Sequence, residues 1–174
     1  LDHAAGNSPD LKANLILQSL LMATSKTISV LYVDDEIHNL NSFKATFRKE
    51  FNVHITDSPA DALEILKRNP VHILITDQRM PGMTGVELLI KVLERHPDTM
   101  RVLLTGFTEL AAVAEALGKG QVHYRMEKPW DEEQIRAVIK AAYEISLLRM
   151  CGGPECIIDV SSELEFILRQ NLLS

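Results

Sequence analysis

Five short apolar runs, each followed by a stretch with helical periodicity, alternate through residues 27–149, and few architectures accommodate that order. Residues 28–33 are apolar and β-branched and read as a strand. Residues 36–50 carry Ile37, Leu40, Phe43 and Phe47 at helical spacing, which predicts a helix with those four on one face. A shorter strand follows at 53–56. Ser58-Pro59-Ala60-Asp61 then combines a capping serine, a proline in the first turn and an acid three residues on, and opens a helix. Residues 71–76 form a continuous apolar strand that runs into Asp77. Thr84-Gly85-Val86-Glu87 is a capping box, and its helix runs to about His96, where Pro97 stops it. A fourth strand at 101–105, an alanine-rich helix at 109–117 ended by Gly118, and a fifth strand at 122–126 follow. Asp131 and Gln134 cap a last helix that turns Ile135, Val138, Ala142 and Ile145 inward and ends at Gly152, Gly153 and Pro154. Strands separated by helices predict an α/β fold: a doubly wound, five-stranded parallel sheet with helices on both faces, for which 2-1-3-4-5 is a common strand order rather than one the alternation dictates.

The chain of 174 residues fits one domain of ordinary size with extensions. We divide it into an N-terminal extension (1–26), the alternating core (27–149) and a short tail (150–174). Leu11, Leu15, Ile16, Leu17, Leu20, Leu21 and Met22 predict a helix in the extension, although Met22 also reads as a natural start. The tail holds a short strand at 156–160 and a helix at 162–172. A net charge of -6 argues against a nucleic-acid-binding face in this segment. No apolar run approaches the roughly 18 to 20 residues that span a bilayer, and no basic-then-apolar start marks a signal peptide. The expected location is therefore cytoplasmic. Cys151 and Cys156 make a poor zinc site, having no nearby histidine, and read as free thiols in a reducing compartment.

Where the strands end decides the chemistry. In doubly wound sheets, ligands bind at the C-terminal strand edge, and Asp34, Asp35, Asp77, Thr105, Gly106 and Lys128 all fall there. Carboxylates packed together raise one another's pKa unless a cation joins them. Magnesium suits such a site, because it takes oxygen ligands and keeps several waters. Asp35 and Asp77 are expected to bind it directly and Asp34 through water. The Met80-Pro81-Gly82 turn holds the Arg79 carbonyl ready as a further ligand. Asp77 is then placed to attack a phosphoryl group, with Lys128 and the Thr105 hydroxyl on its oxygens and Gly106 leaving room for the donor. Taken singly, these residues have ordinary roles: a helix cap, a turn threonine, a solvated lysine. Their conjunction in this order carries the reading.

Val33-Asp34-Asp35-Glu36, Thr76-Asp77, Met80-Pro81-Gly82-Met83, Leu104-Thr105-Gly106 and Lys128-Pro129 together resemble the receiver domain of two-component response regulators, over residues 27–148. The resemblance implies Asp77 as phosphoacceptor, Asp34 and Asp35 as the acidic metal pair, Thr105 as switch hydroxyl and Lys128 as the phosphate-binding lysine. It also implies Mg2+ (with Mn2+ as a substitute), a sensor histidine kinase as donor, an output domain or protein that the sequence does not identify, and a cis Lys128–Pro129 bond. Homodimers built on the fourth and fifth helices are common in the family, so 111–117 and the N-terminal helix are dimer surfaces to consider. The segment from Gln78 to Gly85 is similar to the loop in many transcriptional and cyclic-dinucleotide regulators. One departure stands out. Family members usually have Tyr or Phe three residues before the lysine, and here that position is Arg125, with Tyr124 one earlier. The two should point to opposite faces, and the arginine is expected to be exposed. Coupling of Thr105 to an output would change, while the phosphorylation chemistry would not.

Three other readings fit less well. A phosphatase of the haloacid dehalogenase type would need its aspartates spaced Asp-x-Asp, whereas Asp34 and Asp35 are adjacent. A flavin module would cradle phosphate on a Ser/Thr/Gly loop, which Asp34-Asp35-Glu36 would repel. A receiver-like module used only for protein contact keeps no need for all five site residues. No effector motif follows Leu148, so the chain reads as either a single-domain regulator or a truncated part of a longer one, with 150–174 the start of its output region.

Overall fold

The computed structural model describes residues 28–106, 114, 118, 119 and 121–150. The predicted helices at 11–22, 109–117 and 162–172, the tail strand, both cysteines and the two dimer surfaces lie outside these residues. Nine elements follow one another: β1 (Ser29–Val33), α1 (Ile37–Phe47), β2 (Asn52–Thr56), α2 (Pro59–Arg68), β3 (Ile73–Asp77), α3 (Gly85–Arg95), β4 (Met100–Thr105), β5 (Tyr124–Glu127) and α4 (Glu132–Met150). All strand pairs are parallel, and the sheet order is β2-β1-β3-β4-β5, as expected.

The starts of α2, α3 and α4 follow local rules. The Ser58 hydroxyl accepts the Asp61 N–H at 3.3 Å, and Pro59 opens the first turn of α2. Thr84 and Glu87 form the reciprocal capping box that begins α3. Asp131 Oδ1 accepts the N–H groups of Glu133 and Gln134 at the start of α4.

Strand alternation sends side chains into two cores. Val30, Tyr32, Ile73, Ile75, Val102 and Leu104 meet Leu40, Phe43 and Phe47 of α1 and Ile135, Ile139 and Ala142 of α4. On the other face, Leu31, Val33, Leu74 and Leu103 meet Ala62 and Leu66 of α2 and Leu88, Leu89 and Val92 of α3. Each fully buried aliphatic side chain stabilises the fold by about 2 kcal/mol relative to exposure. Ile37 departs from the expected inward face: it is 54% exposed. It continues the Leu40–Phe43–Phe47 stripe one turn further, to the rim where the strands have ended and no core remains to receive it. On α4, Ile135, Val138 and Ala142 are buried as expected, and Ile145 is only partly so.

Candidate functional site

Parallel register gathers the strand ends. Val33 pairs with Thr76, Asp77 with Leu104, and Thr105 with Glu127. Asp34, Asp35 and Asp77 each bring a carboxylate oxygen within 4.8 Å of the other two. Asp34 and Asp77 are buried and Asp35 is exposed. Lys128 reaches into the group, with Nζ at 3.1 Å from Asp34 Oδ2 and 3.0 Å from Asp77 Oδ1. Its backbone N–H donates to the Thr105 carbonyl at 2.9 Å, which fixes the base of the lysine beside the buried threonine. The Lys128–Pro129 peptide is cis.

Asp34 is held from several sides. Oδ1 accepts the Glu36 N–H at 2.9 Å, and the Asn39 amide lies 3.2 and 3.1 Å from the two oxygens. Oδ2 accepts the Tyr32 hydroxyl at 2.6 Å and Lys128. A carboxylate offers about four acceptor sites, so this one is already engaged with donors. Asp34 is therefore the most heavily engaged of the three carboxylates that could hold a cation together. An all-oxygen donor set of that kind suits a hard divalent ion.

The expected mutual raising of carboxyl pKa values needs correction. Burial pushes the Asp34 carboxyl up, but hydrogen bonds from Tyr32, the Glu36 N–H and Lys128 outweigh it and hold the group below its usual range. Asp77 does move up, chiefly through burial, with the Asp34 charge a smaller contributor that Lys128 opposes. Burial would lower the Lys128 ammonium, yet its two carboxylate partners raise it overall. The pocket is thus a buried −+− arrangement rather than three equivalent acids.

The loop after the acceptor strand is braced on its own backbone. The Gln78 N–H donates to the Leu104 carbonyl at 3.0 Å, while the Gln78 carbonyl and side-chain oxygen accept from Gly85 and Val86 N–H groups, each at 3.0 Å. Gly82 takes φ +78° in the turn, a left-handed conformation that favours glycine. A Cβ on Gly85 would lie 2.3 Å from the Asp77 carbonyl oxygen and 2.8 Å from Leu103 Cδ1. The first residue of α3 therefore sits directly on the acceptor strand. Among the described residues, a Cβ on Gly106 would meet nothing within 4 Å. Arg79 is exposed beside the pocket.

Arg125 and Tyr124 do lie on opposite faces. Tyr124 packs against the α1/α4 core, where burial lifts its hydroxyl to about 12. Arg125, paired in register with Leu103, sits on the α2/α3 side and forms an ion pair with Glu127. Its side chain is 25% exposed, less open than the sequence suggested.

Tyr32, Asn39, Gln78 and Trp130 belong to the site's support and carry no role in the sequence reading. One signal was available for the first: Tyr32 lies two residues before Asp34, hence on the same strand face.

Three comparisons bear on this geometry. Residues 30–140 match the family model of the response regulator receiver domain. The hydrogenase transcriptional regulatory protein HoxA of Cupriavidus necator is 33% identical over 121 residues, covering 70% of this chain and 25% of that protein. The chain thus spans about a quarter of the length of the curated relatives it matches first. Among solved structures, an uncharacterized protein from Neptuniibacter caesariensis superposes with a TM-score of 0.68 at 35% identity, covering 72% of this chain and 93% of that one. The signal receiver domain of an HD domain-containing protein from Pseudomonas fluorescens superposes with a TM-score of 0.66 at 26% identity, covering 71% and 91%.

Proposed function

The chain belongs to the response regulator receiver domain family, and from that membership we propose that it receives a phosphoryl group on Asp77 and changes conformation in response. The Lys128 bridge between Asp34 and Asp77 carries the proposal. That bridge keeps a cation within reach of the atom that would be phosphorylated.

In the proposed reaction, an Asp77 carboxylate oxygen attacks the phosphorus of a phosphohistidine on a sensor kinase. The P–O bond forms as the P–N bond breaks, and the departing imidazole nitrogen takes up a proton. A bound Mg2+, or Mn2+ in its place, would neutralise charge on the transferring group. Asp35, Asp77 and the Arg79 carbonyl would hold that ion directly, and Asp34 through water. Lys128 exchanges a carboxylate partner for a phosphoryl oxygen. The Thr105 hydroxyl donates to another, and Gly106 leaves the approach open. Residues 27–149 form the phosphoacceptor unit in this reading, flanked by an extension at 1–26 and a tail at 150–174. The output is a partner or domain joined to it, as the transcriptional relatives suggest. Among the described residues, no helix is long and apolar enough to cross a membrane.

A receiver fold used solely for protein contact is the second reading, favoured by Arg125 in place of an aromatic. Mass spectrometry after incubation with acetyl phosphate and Mg2+ separates the two. We expect wild type to gain one phosphoryl group and Asp77→Asn to gain none. No gain in wild type would leave the contact module as the better reading.

A further inference from the structure

We infer that Tyr32 is a positioning residue of the acid pocket: its hydroxyl fixes Asp34 as the carboxylate that holds Lys128, and passes displacement of that lysine into the aromatic cluster of Phe43, Phe47 and Trp130. The inference rests on the phosphoacceptor reading above and adds a route by which the state of the pocket leaves it.

The hydroxyl donates a short, charge-assisted bond, 2.6 Å to Asp34 Oδ2, and the Trp130 side chain is a further hydrogen-bond partner of the same group. The ring cannot turn to another acceptor. Tyr32 is fully buried near the C-terminal end of β1, paired with Ile55 on one side and Ile75 on the other. Its ring stacks on Phe43 with centroids 4.3 Å apart and planes 24° from parallel. A buried phenol without a partner would be costly, so the hydroxyl and the Asp34 carboxylate stay together. Asp34 in turn is pinned by Glu36 and Asn39.

Lys128 is the adaptable member of the group. Its side chain is 26% exposed, and its ammonium shares two carboxylates. Two residues on, across Pro129, Trp130 lies edge-on to Phe43 at 6.0 Å and tilted against Phe47 at 6.3 Å. Tyr32 and Lys128 thus meet at Asp34 on the polar side and through Phe43 and Trp130 on the apolar side. Any shift of the lysine toward a phosphoryl group alters both contacts at once. This route runs to the α1/α4 face, the side on which Tyr124 packs and opposite to Arg125.

Trp130 is the only tryptophan in the chain, so its emission reports this cluster alone. The test records Trp130 fluorescence with Mg2+ before and after beryllofluoride, beside the mass-spectrometric phosphorylation assay, in wild type and Tyr32→Phe. We expect an emission change in wild type that falls to less than half in Tyr32→Phe, with phosphoryl uptake read in each. Equal emission changes in two proteins that are both phosphorylated would overturn the inference and leave the phosphoacceptor reading intact. Absence of phosphorylation in wild type would remove both. Should Tyr32→Phe fail to fold, the Tyr32 hydroxyl proton of wild type is followed by NMR. Its resonance should move on addition of Mg2+ and beryllofluoride, and an unmoved resonance would overturn the inference.

Discussion

The two edges of the sheet use polar residues in opposite ways. At the N-terminal edge, the side chains of His72, His123, Arg101 and Thr99 bond to backbone, while the buried Ser29 hydroxyl has no partner among the described residues. His72 Nδ1 accepts the Ser29 N–H at 2.9 Å, and His123 Nδ1 accepts the Arg101 N–H at 3.0 Å. The buried Arg101 guanidinium donates to the carbonyls of Gln121, Pro97 and Thr99, and Thr99 Oγ1 donates to the Val71 carbonyl. At the C-terminal edge, like charges crowd within 4.8 Å, with one shared ammonium between two of them. Committed groups seal a sheet, whereas carboxylates with capacity left over make a site. The contrast shows why perturbed groups alone do not locate function: His123 is shifted strongly and serves the structure.

The sharpest way to break this contrast is Arg101→Leu. It would strip donors from three carbonyls, so we expect a loss of about 3 kcal/mol in urea unfolding with Mg2+ affinity unchanged. A weakened Mg2+ affinity would show that the edges are coupled. Next comes Mg2+ itself, which should raise the melting temperature of wild type but not of Asp35→Ala. At a hundredfold excess over the dissociation constant, linkage gives about 2.7 kcal/mol, and an equal rise in both proteins would count against the proposed ligand set.

Acidity sharpens the comparison further. Burial first, then the charges of Arg101 and Arg149, pushes the His123 imidazole down to about 4 from its ordinary 6.5. As pH falls below 6.5, the unfolded chain takes up a proton that the native ring refuses until about 4, so stability drops across that window. Asp77 works the other way. Its carboxyl is raised, so the native state keeps a proton that the unfolded chain loses above 3.8, and rising pH weakens the fold there. Thermal melts across pH should show the His123 slope flattened in His123→Gln. The smallest effect is expected for Gly106→Ala. Stability should stay within about 0.5 kcal/mol, because the methyl group would meet nothing within 4 Å among the described residues, while phosphoryl uptake from acetyl phosphate slows a few-fold.

What the sequence disclosed was local or periodic. The caps at Ser58, Thr84 and Asp131 are signals spanning a few residues, and all three begin helices as read. The strand ends placed Asp34, Asp35, Asp77, Thr105 and Lys128 on one edge because a parallel sheet leaves little freedom there. Contacts between distant positions were less legible. Lys128 reaches Asp34 across 94 positions, and periodicity does not say that one ammonium will bridge two carboxylates. The lowered pKa of Asp34 depends on donors from Tyr32, Glu36 and Lys128 that only the fold assembles. Ile37 was misplaced for a related reason: helical spacing defines a stripe but not where the sheet beneath it stops.

The seat of Gly85 against the Asp77 carbonyl has an evolutionary corollary. With 2.3 Å available where a β-carbon would go, selection has a single letter to work with at that position. In a saturation library of this domain, drift should be arrested there before it is arrested at the exposed Asp35, and a lineage that lost the glycine would have to rebuild the start of the neighbouring helix to survive.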